Sequence, residues 1–467
     1  MIRGGVEETP SNPGPGGSSR ERPLRILLIA YEFPPSPSPQ SLRWAYLTDR
    51  LAALGHEVHV LAPDIGGSME GLPDPGRAIQ VHRTFPGPVR GALGWLARRR
   101  PAPVVFGSSA GVPTSSETPG DGVRDTLEIP AAVEPPRLNW KGRLLERFQR
   151  GVSWLLFPDL RAEWHRPARK ALHRLLDDLR PDVVVTSHEP CTTLQLGLQA
   201  ERRGFRWVVD MGDPVLAAYT PWRWRHRAHA LEATVMRRAD HVLVTTAQAA
   251  ALLRERHGAG ADVSVVTQGF DERMPPAQDV SRRPDSMLEL LYAGSFYSFR
   301  DPRALVDAVL AVPGVRLNVA SGNVPEWLAG VARERPAQVR LLGRVPHRRL
   351  LVLQRQIDVL VNLANPDPSQ VPGKFYEYLG AGRPVLHLLA GSGLDATGEL
   401  LGALARGWSC AGDRSTIEHE LHRLAEAHRE GALASGLQLG MEAVESWSWT
   451  QSASAVAGTL QSVVDPV

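Results

Sequence analysis

The chain alternates short unbroken apolar runs with longer stretches whose apolar residues return every three or four positions. Runs of the first kind predict strands buried on both faces of a parallel sheet, and the second kind predicts helices packed on that sheet. Arg25–Ala30 (RILLIA), Glu57–Ala62 and Ala78–His82 read as the first three strands. A loop holding Pro34, Pro35, Pro37 and Pro39 leads into an amphipathic helix over Leu42–Leu54, which Gly55 stops. The pattern dissolves after Gly87, and Pro, Gly and Ser dominate 101–136, where an excursion with little structure is expected. Lys141–Phe157 and Glu163–Leu179 predict helices. Alternation then resumes, with strands at 182–186, 207–210, 241–245 and 263–266 and helices at 192–203, 225–239 and 247–256. A second alternating unit has strands at 288–292, 315–320, 339–342, 359–362, 384–388 and 407–410. It closes with helices over 417–428, 432–444 and 450–463.

These elements predict an α/β protein of two doubly wound, Rossmann-like domains. The expected divisions are a disordered tail over 1–23, a first domain over 24–274, a polar Pro-containing linker over 275–286 and a second domain over 287–448, with a last helix in 449–467. Ligands bind at the C-terminal ends of parallel strands, so the two domains should face each other across a cleft.

Composition narrows the class. In 467 residues the formal net charge is only +3, which gives no reason to expect a nucleic-acid partner. Cys191 and Cys410 have no second Cys or metal-spaced His nearby, so neither a disulfide frame nor a zinc site is expected, and the chain reads as cytoplasmic. No apolar leader opens the sequence, and no run reaches the ~18–20 apolar residues of a spanning helix.

Candidate chemistry gathers in Ser369–Leu386, SQVPGKFYEYLGAGRPVL. Pro372 and Gly373 fix the start of a short helix, Gly380 and Gly382 end it, and Pro384 opens a strand. A helix N-terminus beside a glycine suits a phosphate, and Lys374 in its first turn is unfavourable unless an anion lies beside it. Glu377, one turn on, can accept from sugar hydroxyls. The chain holds only three lysines, Lys141, Lys170 and Lys374, among many arginines, which marks Lys374 as a point-charge position. The competing reading is a solvated lysine paired with Glu377 or Asp367.

Further stretches share a pattern with this one: AYEFPP (30–35), LAALGHEVHVLAP (51–63), FPDLRAEW (157–164), VVDMGDP (208–214), QGFD (268–271), YAGSFYSFRDP (292–302) and LGRVPH (342–347). In order and spacing the chain resembles retaining glycosyltransferases of the GT-B fold, the family-4-like group of bacterial polysaccharide and cell-envelope assembly. The likeness spans roughly Leu24 to Leu460. It implies a nucleotide-diphosphate sugar as co-substrate, held by the second domain, with no cofactor and no metal. By resemblance Glu377 meets the ribose, Gly373 and Lys374 the diphosphate, Arg300 a second phosphate charge, Gly294 and Ser295 the turn beneath it, and Arg344 and Val345 the base. Arg300 and Lys374 would be the catalytic cations. The alternative for Arg300 is a surface ion pair with Asp301 or a neighbour. The segment at Trp449 resembles the one that carries the last helix back to the first domain.

The sequence also departs from the group. Ser369 stands where the usual motif has its first Glu, Ser36–Ser41 replaces the usual Gly-Gly, and Gly212 stands where many members place a His. Acceptor-side candidates are then His188, Asp210 and Asp213. Arg137–Arg180 carries eleven basic and five acidic residues with Trp140, Trp154, Phe157 and Trp164 interleaved, and 222–227 (WRWRHR) adds a second basic-aromatic cluster. Such segments suit an anionic membrane surface and a lipid-linked acceptor on its inner face, or else are solvated helix faces. A catalytically silent scaffold and a nucleotide-sugar epimerase are the competing functions.

Overall fold

The structure is a computed structural model that describes residues 22–36, 38–66, 76, 78–88, 90–91, 161–217, 220–258, 260–274, 287–296, 300–365, 367–368, 370–391 and 393–466. The tail to residue 21, the 101–136 excursion, the 141–157 helix, the linker and Ser369 lie outside the described residues.

Seven strands form the first sheet: β1 (Arg25–Ala30), β2 (Glu57–Pro63), β3 (Ile79–Thr84), β4 (Val183–His188), β5 (Arg206–Met211), β6 (His241–Val244) and β7 (Asp262–Val265). Their order is β3-β2-β1-β4-β5-β6-β7, and every pairing is parallel. Helices α1 (Pro39–Ala53), α2 (His165–Leu179), α3 (Thr192–Arg202), α4 (Arg225–Arg238) and α5 (Ala247–His257) accompany it. The apolar run of β1 explains its central place: Ile26 to Ala30 are buried, with Leu27 opposite His59 on one side and Val184 on the other. α1 begins three residues earlier than its apolar pattern suggests. Pro39 occupies the first turn, where a missing N–H is no loss, and the Ser38 side chain accepts from Ser41 N–H.

Six strands form the second sheet: β8 (Leu288–Ala293), β9 (Val315–Ala320), β10 (Val339–Gly343), β11 (Val359–Leu363), β12 (Val385–Leu389) and β13 (Gly407–Ala411). The order is β10-β9-β8-β11-β12-β13, again parallel throughout. Helices α6 (Arg303–Ala311), α7 (Glu326–Glu334), α8 (His347–Gln356), α9 (Gly373–Leu379), α10 (Ala396–Ala403) and α11 (Arg414–Arg429) belong to it, and α12 (Trp449–Val464) closes the chain. In both sheets the strand order reverses beside the first strand, between β1 and β4 and between β8 and β11. Those two crevices are where such folds place ligands.

α12 leaves the second sheet and packs on α1, burying Trp449, Ala453, Val456, Ala457 and Leu460 in the first sheet's core. The crossing point is pinned: Phe270 N–H donates to Trp447 O at 3.1 Å and Trp449 N–H donates to Phe270 O at 3.0 Å. Phe270 itself packs in the second sheet's core. Gly380 makes that seat, since a Cβ there would lie 2.3 Å from Phe270 Cγ.

The helix expected over 432–444 is not formed. Turns fill this stretch up to a 3-10 segment over Glu442–Trp447, and Gly436 has φ +77°. Arg406 supplies the reason. Its buried guanidinium donates to the carbonyls of Leu379, Gln438, Leu439 and Gly440, which a helix would have spent on its own N–H groups. Burial lowers the Arg406 pKa to about 10.

Candidate active site

The second crevice opens where β8 ends. Gly294 holds φ +153°, and a Cβ there would meet Lys374 Nζ at 3.3 Å, so only glycine lets this turn lie against the lysine. Lys374 is in the first turn of α9. As a whole residue it is partly accessible, yet its Nζ is buried and has no hydrogen-bond partner among the described residues. The ammonium lies 4.2 Å from the centre of the Tyr292 ring and 5.9 Å from that of Tyr378. Aromatic faces attract a cation but do not replace its hydration. Burial first, and the nearby Arg300 charge second, hold the Lys374 pKa well below the usual lysine range, with Glu377 opposing them.

The surroundings of that nitrogen are rigid. Tyr378 Oη accepts from Ala293 N–H at 3.1 Å, and burial pushes its pKa up, so it stays a neutral phenol. Tyr292 Oη donates to Ser295 O at 3.0 Å. Arg300 reaches in from the far side, with Nη2 donating to Asn365 Oδ1 just beyond β11. The neighbouring Asp301 accepts from Arg303. Lys374 pairs with neither Glu377 nor Asp367, so a solvated surface lysine is excluded.

Glu377 follows on α9. Its carboxylate makes no hydrogen bond among the described residues, although its side chain is only 19% exposed, and the imidazole Nε2 of His347 lies 4.0 Å away. Gly373 faces the first domain: a Cβ there would lie 3.0 Å from Gln268 Cγ. Ser295 and Arg344 are exposed, and Val345 packs at the edge of the core under α8. The structure therefore brings Gly294, Arg300, Lys374 and Glu377 together around one buried cation, with Gly373 beside Lys374 on α9.

The first crevice is built differently. Asp210, at the end of β5, is fully buried. Its Oδ2 accepts from Arg43 Nε at 3.1 Å, Trp44 Nε1 at 2.8 Å and Gln40 Nε2 at 2.9 Å, and its Oδ1 accepts from Arg43 Nη2 at 3.0 Å. These four hydrogen bonds fix α1 to the sheet, with three on Oδ2 and one on Oδ1. His188 is buried at the end of β4, and its carbonyl lies 3.7 Å from where a Cβ on Gly212 would be. Asp213 is exposed. Among the described residues no group of three or more His, Cys, Asp or Glu side chains could hold a metal ion.

Of the two basic-aromatic segments, 222–227 is described. Trp222 is 81% exposed, and the Trp224 ring lies under Arg223 at 4.3 Å and Arg227 at 5.3 Å. In 137–180 only Arg161 onward is described. No helix among the described residues is long and apolar enough to cross a membrane.

Reasoning on sequence alone missed Tyr292, Asn365, Gln40, Arg43, Tyr46 and the side chain of His347. Tyr292 opens the quoted YAGSFYSFRDP stretch and His347 ends LGRVPH, which was a usable signal. The others sit at ordinary helix or loop positions and carry none.

Residues 40–269 match the family described as Glycosyl transferase 4-like domain. No curated protein matches the chain in sequence. The fold is similar to that of sucrose-phosphate synthase from Thermosynechococcus elongatus, at 16% identity over 94% of this chain and 99% of that one, with a TM-score of 0.62. It is also similar to a glycosyltransferase from Rickettsia africae ESF-5, at 9% identity, 95% and 100% coverage and a TM-score of 0.56. A third similar structure is WaaG, a glycosyltransferase involved in lipopolysaccharide biosynthesis, at 15% identity, 94% and 97% coverage and a TM-score of 0.50.

Proposed function

Starting from a chain that is a family-4-like glycosyltransferase of the GT-B fold, we propose that it moves a sugar from a nucleoside-diphosphate sugar to a hydroxyl acceptor with retention, using neither metal nor cofactor. One observation carries this reading: a lysine Nζ buried without a hydrogen-bond partner among the described residues, at the switch point of the second sheet. A diphosphate is the partner that such a nitrogen lacks. Binding it favours the ammonium form that burial disfavours.

Lys374 and Arg300 then act as the cations. As the bond from C1 to the phosphate oxygen breaks, negative charge grows on the leaving nucleoside diphosphate, and two fixed cations stabilise it. The acceptor oxygen bonds to C1, and its proton passes to the departing phosphate oxygen. Glu377 accepts from the ribose hydroxyls, Gly294 and Ser295 frame the phosphates, Gly373 brings its backbone to them, and Arg344 and Val345 border the base. His188, Asp210 and Asp213 are the acceptor-side candidates, Asp210 also anchoring α1. The acceptor is a lipid-linked or polysaccharide intermediate, presented to the exposed Trp222–Arg227 face at an anionic membrane surface.

The test is turnover. UDP-, GDP-, ADP- and dTDP-hexoses are incubated with the chain and release of nucleoside diphosphate is followed. One donor is expected to be hydrolysed slowly without acceptor, and Lys374→Ala to stop it. No release from any donor, with or without anionic vesicles, would favour a catalytically silent scaffold. The anomeric configuration of the product, read by NMR, tests retention.

A further inference from the structure

Glu377 has one close neighbour of opposite potential charge, and that neighbour is held from the other domain. His347, the first residue of α8, places Nε2 4.0 Å from Glu377 Oε1 and 3.1 Å from Tyr46 Oη. Tyr46 belongs to α1, on the first sheet, 301 positions away in sequence. Its ring is stacked on Trp449 of α12, with centroids 5.3 Å apart and planes at 7°. Burial, with the charges of Asp271 and Glu377, raises the Tyr46 pKa, so its hydroxyl keeps its proton. Arg50 lies 5.9 Å over the same ring and is itself tied to Asp271 and Glu272. Tyr46 is thus fixed on one side by stacking and on the other by its hydrogen bond to His347.

A carboxylate that makes no hydrogen bond to protein has several rotamers open to it. To meet vicinal hydroxyls it must be held in one of them, and a neighbouring imidazole does so only if its own ring is held. We propose that His347 is the positioning residue for Glu377 and that Tyr46 positions His347, so that ribose recognition in the second domain is completed by a hydroxyl from the first. This rests on the donor-site reading above and goes beyond it. It makes discrimination of the sugar of the nucleotide a property of the two domains together, and it names Tyr46 as the residue through which they share it.

The test uses the full chain and calorimetric titration with UDP, GDP and ADP and with their 2′-deoxy counterparts. The readout is the ratio of the deoxy to the ribo dissociation constant, which a merely structural loss would leave unchanged. The native chain is expected to prefer one ribonucleotide by about tenfold or more, as suits a hydrogen bond to a charged acceptor. Tyr46→Phe keeps the stacked ring and removes only the hydroxyl, and is expected to cut that ratio severalfold. His347→Ala should bring it down to that of Glu377→Ala, with no further fall in the double variant. His347→Gln, which keeps a planar polar group of similar reach beside Glu377 and Tyr46, should restore part of it. If Tyr46→Phe and His347→Ala weaken both nucleotides equally and leave the ratio at its native value, the inference is overturned. If the native chain binds none of the six, the donor-site reading falls and takes this inference with it. If it binds one ribonucleotide and its deoxy form equally, the diphosphate reading stands and the ribose role of Glu377 and its positioning fall.

Discussion

At the crevice of the first sheet, the buried Asp210 carboxylate accepts four hydrogen bonds from Arg43, Trp44 and Gln40. At the matching crevice of the second sheet, Lys374 Nζ is buried without a hydrogen-bond partner and Glu377 makes no hydrogen bond among the described residues. Asp210 lies on β5 and Lys374 in the first turn of α9, in two sheets whose first six strands share one order, so the sheet order by itself does not decide their states. A buried charge paired from several sides is structural, because the fold depends on it. A buried charge left without a partner destabilises the fold and persists where a ligand supplies what is missing.

The largest effect that would break this contrast lies on the first side. Asp210→Ala leaves the fully buried Arg43 without its carboxylate, and is expected to cost about 3–5 kcal/mol. Chemical denaturation measures it, and a loss under about 1 kcal/mol would show that Asp210 is not the anchor. On the second side the sign reverses. Lys374→Met should weaken nucleoside-diphosphate binding by about 100-fold while making the ligand-free chain more stable, by about 1 kcal/mol.

The pH dependence sharpens the same point. The folded-state pKa of Lys374 lies below its unfolded value, so across the window between them the unfolded chain binds the extra proton. Stability therefore rises with pH through that window, and the deficit against Lys374→Met is largest below it and closes toward pH ~10. Melting temperatures of the two proteins from pH 6 to 10 are expected to converge. A constant gap would mean that the lysine is ionised as freely when folded as when unfolded. Glu377→Gln is a smaller change, expected to weaken ribonucleotide binding by about tenfold and to leave the 2′-deoxy form less affected. The smallest effect is on the outer face. Arg223→Ala should lower binding to vesicles rich in anionic lipid by about fivefold, as one basic residue near a charged surface does. Flotation with no binding by the native chain would remove the membrane proposal.

The fold could be read from the chain because each buried strand is an unbroken apolar run, as RILLIA and DVVVT show. α1 and the 432–444 stretch were misread for different reasons. Pro39 looks like a helix breaker until its place in the first turn is known, and Ala432–Val444 has helical composition but lends three carbonyls to Arg406. In the site, Lys374 and Glu377 stood out because their residue types contradict their surroundings. Asp210 looked the same in sequence, and only its three partners on α1 reveal it as structural. Tyr46 was illegible, and His347 only marked by its stretch, because their meaning is a contact between α1 and α8.

The most direct measurement is calorimetric titration of nucleoside diphosphates into the native chain and Lys374→Met at pH 8, above the phosphate's own titration near 6, in buffers of different ionisation enthalpy. One diphosphate is expected to bind the native chain with net proton uptake, because the anion raises the Lys374 pKa toward its ordinary value. Lys374→Met should lose most of the affinity and all of the uptake. Binding of equal strength by both proteins, without proton uptake by either, would show that Lys374 is not the seat of the diphosphate.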